Sequence, residues 1–152
     1  MLTESLLEQA VDWLSEARSV YLYGSSFSNI RAEEAGEKLN RINRSSFCFA
    51  TARAQVTSTA LITPDDLVVL LTFSGTNKHT NNVYKRAKKR GCRIIWVSSN
   101  RSLANRHDPR ELLLPVSTIA LGEYSTSLIE GMSLQCAIDC LYMAYANRLR
   151  SR

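Results

Sequence analysis

Residues 66–80 have the sequence DLVVLLTFSGTNKHT, in which an apolar run passes directly into a loop of small and hydroxyl-bearing residues. The part from Asp66 to Phe73 is continuous in apolar and β-branched residues, as is typical of a strand buried on both faces of a parallel sheet. Turn-forming residues bound this strand at 64–65 and at 74–75. The segment therefore predicts one strand of an α/β fold, followed at once by a loop and a helix.

Similar apolar segments occur at regular intervals before and after this strand. Val20–Tyr23, Phe47–Phe49 and Arg93–Ser98 predict three more strands, and starts near 20, 46, 67 and 93 are about 26, 21 and 26 residues apart. A fifth, weaker strand is predicted at Leu112–Val116, where Pro115 indicates an edge strand or a strand end. This spacing suits strand–helix units joined by right-handed crossovers in a parallel sheet.

Amphipathic segments alternate with these strands. In the first of these segments, apolar residues recur at helical spacing from Leu7 to Leu14, and Thr3 is the predicted N-cap. Gly91 is the predicted end of the fourth segment. The five predicted helices are Leu6–Ala17, Asn29–Ile42, Ala52–Leu61, Thr80–Arg90 and Ser127–Asn147. We therefore predict a doubly wound α/β three-layer sandwich with a parallel sheet of mostly five strands.

The composition bounds the class of protein. The chain has 152 residues, 45% hydrophobic and 22% charged, which is typical of a globular domain and not of a disordered segment. Residues 1–152 are expected to form one domain, with a leading connector helix at 1–18 and the sandwich core at 19–148. The longest apolar run, Leu67–Leu71, is far shorter than the ~20 residues of a membrane helix, and the N-terminus MLTESLLEQA is acidic where a signal peptide is basic. We therefore expect a cytoplasmic protein with no membrane partner.

Charge and cysteine content narrow the choice of ligands. The chain has 19 lysines and arginines against 14 aspartates and glutamates, and the net charge of +5 favours anionic partners.

The cysteines lie in apolar segments without a Cys-x-x-Cys pair, which predicts buried thiols in a reducing compartment and no metal site. They are Cys48, Cys92, Cys136 and Cys140. The sequence has neither the spacing of a P-loop nor a three-glycine dinucleotide fingerprint, so no cofactor is expected.

Three loops at the predicted carboxyl edge of the sheet, at 24–29, 72–80 and 98–102, are rich in small and hydroxyl-bearing residues. Ligands bind at this edge in doubly wound folds, and short hydroxyl donors together with free backbone N–H groups suit a phosphate. Gly75 would let the backbone approach the anion, and Lys78 could add a positive charge. The same residue types cap helices and form turns in many loops, so that alternative stays open for each loop taken alone.

These loops resemble the sugar isomerase (SIS) domain, a phosphosugar-binding fold of the flavodoxin-like type. The resemblance covers roughly residues 18–148. Its first element, a strand followed by Gly-x-x-x-Ser and a helix, is matched by VYLYGSSFSNIRAEEAGEKL at 20–39. Its more specific element, a Ser-x-Ser-Gly-x-Thr phosphate loop, is matched by TFSGTN at 72–77.

The resemblance implies a site for a phosphorylated sugar within two of these loops. The residues implied are Ser25, Ser26, Ser28, Thr72, Ser74, Gly75, Thr76 and Asn77. The sequence departs from the family pattern at three of them: Thr72 replaces a serine, Asn77 replaces a threonine, and Ser26 stands where many members have a glycine.

Two further stretches are most similar to the effector domain of RpiR-type transcriptional regulators. They are SSNRSLA at 98–104 and AIDCLY at 137–142, and the leading helix is similar to the connector in these regulators. The resemblance implies a domain that senses a phosphosugar and reaches DNA only through a helix-turn-helix domain, which the lead-in before the core does not supply. We therefore expect either an effector domain alone or a stand-alone SIS protein.

The last predicted helix is apolar on nearly all sides, which favours packing on more than one side. Burial inside a monomer would explain this pattern, and so would a subunit interface. Because SIS relatives commonly dimerise, we expect a homodimer or a higher homo-oligomer.

Two other functions compete with phosphosugar sensing. An aldose–ketose isomerase of the same fold needs a general base, for which Glu123, His79 and His107 are candidates, but no convergent acid–base pair is evident. A sensing domain is therefore favoured over an enzyme. Direct nucleic-acid binding through the basic residues at 85–90 and the tail arginines Arg148, Arg150 and Arg152 is less favoured, since cations near the end of a helix also complement its dipole.

Overall fold

Parallel strands form a central sheet that is covered by helices on both faces. A computed structural model describes residues 1–117 and 126–152. The strands are β1 (Val20–Gly24), β2 (Ser46–Cys48), β3 (Leu67–Leu71), β4 (Arg93–Ser98) and β5 (Glu111–Pro115). The helices are α1 (Glu4–Glu16), α2 (Phe27–Arg41), α3 (Ala52–Ser58), α4 (Lys78–Lys89) and α5 (Thr126–Arg150), with 3-10 turns at Thr59–Leu61 and Arg101–Arg106.

The strands lie in the order β2-β1-β3-β4-β5, and each neighbouring pair is parallel. The chain thus begins near the middle of the sheet, runs to one edge and then returns to build the other, which is the doubly wound arrangement. β3, at the centre, pairs with both β1 and β4 and is buried at every position. The predicted α/β sandwich with a five-stranded parallel sheet is confirmed.

Alternate residues of the strands face two separate cores. Leu67 and Leu71 of β3 pack with residues of α1, α2 and α5 on one face of the sheet. Val68 and Leu70 pack with residues of α4 on the other face. Because helices cover both faces, β3 has no position that can be polar, which explains its continuous apolar sequence.

Several boundaries differ from the sequence-based prediction for local reasons. α4 begins at Lys78 rather than Thr80, because the Asn77 side chain caps it by accepting a hydrogen bond from the Thr80 N–H at 3.0 Å. The predicted third helix is an α-helix only as far as Ser58 and then tightens into a 3-10 turn. Pro115 ends β5, which is an edge strand, as the proline indicated.

The prediction of four buried thiols is wrong for Cys136 and holds only in part for Cys48 and Cys140, which are half-buried. Cys92 is buried, and burial raises the pKa of its thiol to about 12, so it stays protonated and inert. Cys136 is exposed, as are Met132 and Met143 on the same helix, because the outer side of α5 is apolar but is not covered by the rest of the described chain. Among the described residues, no helix has the length and apolar character that crossing a bilayer requires.

The carboxylate of Asp66 fixes the entry to β3 at the amino edge of the sheet. It accepts two hydrogen bonds from the Arg18 guanidinium, at 3.0 and 2.9 Å, and two more from the backbone N–H and hydroxyl of Thr63, at 2.8 and 3.0 Å. Burial raises the pKa of the Asp66 carboxyl, but the hydrogen bonds from Arg18 and Thr63 outweigh it and hold the pKa below its ordinary value. The ionised carboxylate therefore ties the start of β3 to the residues before β1.

The Asp66→Asn variant tests this contribution through its pH dependence. A carboxyl whose pKa is lower in the folded than in the unfolded protein stabilises the fold above the unfolded value of ~3.9, and this stabilisation is lost as the pH falls through the folded value. We expect wild type to exceed Asp66→Asn by about 1–2 kcal/mol at neutral pH, because Arg18 is half exposed and solvent weakens the ion pair. In thermal unfolding the difference in Tm should shrink below about pH 4. A difference that is constant from neutral to acid pH would contradict this assignment.

Candidate functional site

The carboxyl ends of β1, β3 and β4 lie side by side at one edge of the sheet. The parallel register aligns Gly24 with Leu71, and Leu71 with Val97. The loops that follow these strands therefore begin at the same level and are neighbours in space. These are the three loops that the sequence singled out, and this edge is where doubly wound folds bind ligands.

The loop at 72–77 is held in a tight turn by its own hydrogen bonds. Thr72 is buried, and its hydroxyl oxygen accepts a hydrogen bond from the Gly75 N–H at 3.2 Å. Gly75 has a φ of +69°, a left-handed conformation that favours glycine, and a Cβ added there would lie only 3.0 Å from the Asn100 amide nitrogen. Thr72 and Gly75 thus determine the shape of the loop.

Ser74 and Thr76 lie on the outer side of this loop, with both side chains exposed to solvent. The Ser74 hydroxyl oxygen accepts hydrogen bonds from the Thr76 N–H at 3.2 Å and from the Thr76 hydroxyl at 3.0 Å. The two hydroxyls stand just before α4, where free backbone N–H groups and the positive end of the helix dipole coincide. Asn77 does not join them, because its side-chain oxygen is used to cap the helix. The exposed Lys78 follows in the first turn.

The loop after β1 contains three serines and a strained backbone. The hydroxyls of Ser25, Ser26 and Ser28 have no hydrogen-bond partner among the residues that the structure describes, so they are free to bind a ligand. Ser26 has φ +56° and ψ −124°, a conformation that glycine adopts readily and other residues rarely do. The backbone also passes so close to Gly24 that a Cβ there would lie 2.7 Å from the carbonyl group of Ser28.

The loop after β4 is bonded to the loop at 72–77. The hydroxyls of Ser98 and Ser99 both donate to the Phe73 carbonyl, at 2.9 and 2.6 Å. The Ser99 N–H also donates to this carbonyl, at 3.0 Å. These hydroxyls are occupied within the protein, so the third loop positions the second and supplies few free donors of its own.

The buried side chain of Gln55 on α3 joins the first loop to the start of α4. Its amide nitrogen donates to the Gly24 carbonyl at 2.9 Å, and to Asn29 Oδ1 and the Phe49 carbonyl at 3.1 Å each. Because that nitrogen faces three acceptors, Oε1 is the atom that meets His79 Nε2, at 2.8 Å. His79 therefore carries a proton on Nε2. Sequence reasoning missed Gln55, since an isolated glutamine in an amphipathic segment gives no signal of such a role.

The three candidate general bases differ in position. His79 lies half-buried in the first turn of α4, beside the loop at 72–77, and is bonded to Gln55. His107 is exposed after the 3-10 turn, shortly before β5 begins at the amino edge. Glu123 lies outside the described residues. Of the candidates that are described, His79 is the one located at this edge of the sheet.

Comparison with known proteins identifies the family. The model of the SIS domain family matches residues 13–138. The chain belongs to the SIS domain family. The identification made from the loop sequences is therefore confirmed, and the edge described above is the carboxyl edge of an SIS sheet.

This chain is similar to part of several longer curated proteins. "Bifunctional protein glk" of Burkholderia thailandensis is 31% identical to this chain over 146 residues, which are 95% of this chain and 22% of that protein. The chain spans about a fifth of the length of the curated relatives of this kind that it matches.

Solved structures with the same fold include a phosphosugar complex, a transcription-factor domain and an isomerase. Vibrio vulnificus NanR complexed with ManNAc-6P has a TM-score of 0.79 at 16% identity, covering 99% of this chain and 57% of NanR. The sugar isomerase domain of an RpiR transcription factor from Sphaerobacter thermophilus has a TM-score of 0.73 at 18% identity, covering 97% and 80%. Phosphoheptose isomerase from Neisseria gonorrhoeae has a TM-score of 0.77 at 13% identity, covering 93% and 86%.

The Ser26→Gly variant tests the strain in the first loop of this SIS domain. Glycine adopts the backbone conformation of Ser26 without steric cost, so the variant should be more stable than wild type by about 1 kcal/mol. For a domain of this size that raises Tm by about 2–4 °C. Ser25→Gly is the matched control, because Ser25 has no positive φ and glycine there only adds entropy to the unfolded chain. Equal losses of Tm in the two variants would show that Ser26 is not strained.

Proposed function

We propose that this SIS domain binds a phosphorylated sugar at the carboxyl edge of its sheet, as the effector-sensing domain of an RpiR-type transcriptional regulator. The observation that carries the proposal is the pair of exposed hydroxyls, Ser74 and Thr76, directly before the N-terminus of α4. A phosphate there would meet hydroxyl donors, backbone N–H groups and the helix dipole together.

The residues of the site divide into two roles under this proposal. Ser74, Thr76 and the backbone of the first turn of α4 hold the phosphate, and the free hydroxyls of Ser25, Ser26 and Ser28 bind either the same anion or the sugar. Thr72, Gly75 and Asn77 do not need to touch the ligand, because their bonds within the protein give the loop its shape. The replacement of serine by threonine at 72 and of threonine by asparagine at 77 is compatible with these supporting roles.

Sensing is favoured over catalysis because the described residues of this edge include one candidate base, His79, and no acid beside it. An isomerase must move a proton between neighbouring carbons and needs a base that can accept it. His79 donates from Nε2 to Gln55, which leaves Nδ1 as the nitrogen that could accept a proton, but the described residues of this edge place no carboxylate or second histidine in the same cluster. NanR, which shares the fold, is solved in complex with the phosphosugar ManNAc-6P, and this supports the ligand class. A regulatory response requires that the ligand bind two conformations of the domain with unequal affinity.

Thermal unfolding against a panel of sugar phosphates tests ligand binding. A ligand at 100 times its Kd should stabilise the protein by about 2.7 kcal/mol, which raises Tm by roughly 5–10 °C. The shift should disappear in Ser74→Ala, which removes an exposed donor without disturbing the core. It should persist in the control Ser45→Ala, an exposed serine before β2 at the opposite edge of the sheet. If no compound raises Tm, or if Ser74→Ala responds like wild type, the proposed site is wrong.

A turnover assay on any compound that binds separates sensor from isomerase. The proposal predicts that the compound is recovered unchanged after prolonged incubation with the protein. Conversion between its aldose and ketose forms that is lost in His79→Ala would instead establish the isomerase.

We further propose that two copies of the chain associate through α2 and α5. These helices pack on each other, with a hydrogen bond of 3.3 Å from Arg31 to Gln135, and both expose large apolar side chains. Phe27 and Ile30 on α2 are 72% and 53% exposed, and Met132 on α5 is 62% exposed. A second copy would cover these side chains, and exposed apolar patches are typical of protein–protein interfaces.

Sedimentation of wild type and Met132→Glu tests the association. We expect wild type to sediment as a dimer and Met132→Glu as a monomer, because a charge at the centre of an apolar interface is costly to bury. The control is Leu61→Glu, which places the same charge on an equally exposed apolar residue in the 3-10 turn next to α3. A wild-type monomer at all concentrations would refute the interface.

A further inference from the structure

A wide groove between α3 and α4 lies away from the loops of the candidate site. It has a volume of about 770 Å³. It is lined by Val56, Thr57, Thr59, Ala60, Asn82, Lys85, Arg86, Lys89 and Arg90. The candidate site is at the N-terminus of α4, whereas the groove runs along its C-terminal half, and a helix of 12 residues is about 18 Å long. The two places are therefore distinct.

The groove is strongly and unevenly charged. Four of its lining residues are cationic, and none of the described residues that line it is acidic. Lys85 and Lys89 are exposed and have no hydrogen bond or ion pair with any residue that the structure describes. Lys88, on another side of the same helix, is neutralised by Glu111 at 3.0 Å and by Asp108 at 3.7 Å. In the C-terminal half of α4, the charges that no described acidic residue compensates thus lie on the side that faces the groove.

Both arginines of the groove make hydrogen bonds within the protein. Arg90 crosses the groove and donates to the carbonyls of Ile62 at 2.8 Å and Ala60 at 3.2 Å, while Arg86 donates to the side chain of Asn82 at 3.4 Å. The helix dipole explains a cation in the last turn of α4, but it does not explain Lys85 one turn earlier. The positive charges also converge across a concave surface, where they reinforce one another.

We propose that this groove binds the phosphate backbone of a nucleic-acid duplex. Lys85 and Lys89, four residues apart on a helix, are separated by about 6 Å along its axis, so that they can meet successive phosphates of one strand. A protein partner binds mainly through a few side chains buried in well-packed pockets, but Val56 and Ala60 are the only apolar residues lining the groove among those described. The contacts involve charge and not base edges, so the binding is independent of sequence.

Binding of a short fluorescent DNA duplex, measured as a function of salt, tests the groove. With Lys85, Arg86 and Lys89 each neutralising one phosphate, the plot of log K against log salt should have a slope of about −2.7. In the double variant Lys85→Gln/Lys89→Gln the slope should fall in magnitude by about 2, with a matching loss of affinity at low salt.

The control is Arg41→Gln/Arg150→Gln, which removes the same two charges from exposed arginines in the last turns of α2 and α5. It should keep the wild-type slope. If the two double variants lose slope and affinity equally, only net charge matters and the proposal is overturned. The absence of duplex binding at low salt would also overturn it. A duplex of RNA in place of DNA tells which nucleic acid is preferred, and binding of either one through the lysines supports the proposal.

Polyglutamate serves as the probe for an acidic protein. If polyglutamate displaces the duplex when the concentration of its carboxylates is equal to or lower than that of the duplex phosphates, the groove is a site for acidic segments and the proposal is wrong. The test does not depend on the sugar-phosphate site: Ser74→Ala should bind the duplex like wild type, and Lys85→Gln/Lys89→Gln should respond to sugar phosphates like wild type.

Discussion

Parallel pairing of β1, β3 and β4 is the constraint from which the rest of the structure follows. Parallel strands need a crossover between them, and the crossovers that lead from β1 to β4 place α2, α3 and α4 on the faces of the sheet. The strands are then buried on both faces, which requires the continuous apolar sequence of β3. The same pairing brings all of their carboxyl ends to one edge, so that residues far apart in sequence, such as Gly24 and Leu71, start neighbouring loops.

Within those loops, hydroxyl and amide groups serve two purposes that the sequence alone does not separate. Some of them, such as those of Thr72, Asn77 and Ser98, make bonds inside the protein and hold the backbone in place. Others, such as those of Ser26 and Ser74, project into solvent at the same edge. A rigid framework of the first kind keeps the second kind in position before a ligand arrives, which lowers the cost of ordering on binding.

Sequence reasoning predicted the sheet well because its signal is local. β4 was predicted at its observed bounds, and β3 within two residues, since runs of apolar residues need no knowledge of the partner strand. The family loop at 72–77 was also found from local sequence. The role of Gln55 was not, because its partners Gly24 and Asn29 are 31 and 26 residues away in the chain and only the folded structure brings them together. Backbone strain at Ser26 likewise depends on the path of the chain, although its place in a glycine position of the family pattern was visible.

The proposed function requires an anion to bind before α4, and backbone amide chemical shifts during titration with a sugar phosphate test this most directly. We expect saturable changes in the amides of residues 74–80 and 25–28, with little change at residues 85–90 in the basic groove. Changes confined to 85–90, or small changes spread over the whole surface, would show that the phosphate is attracted by general positive charge and that the loops at the carboxyl edge are not its binding site.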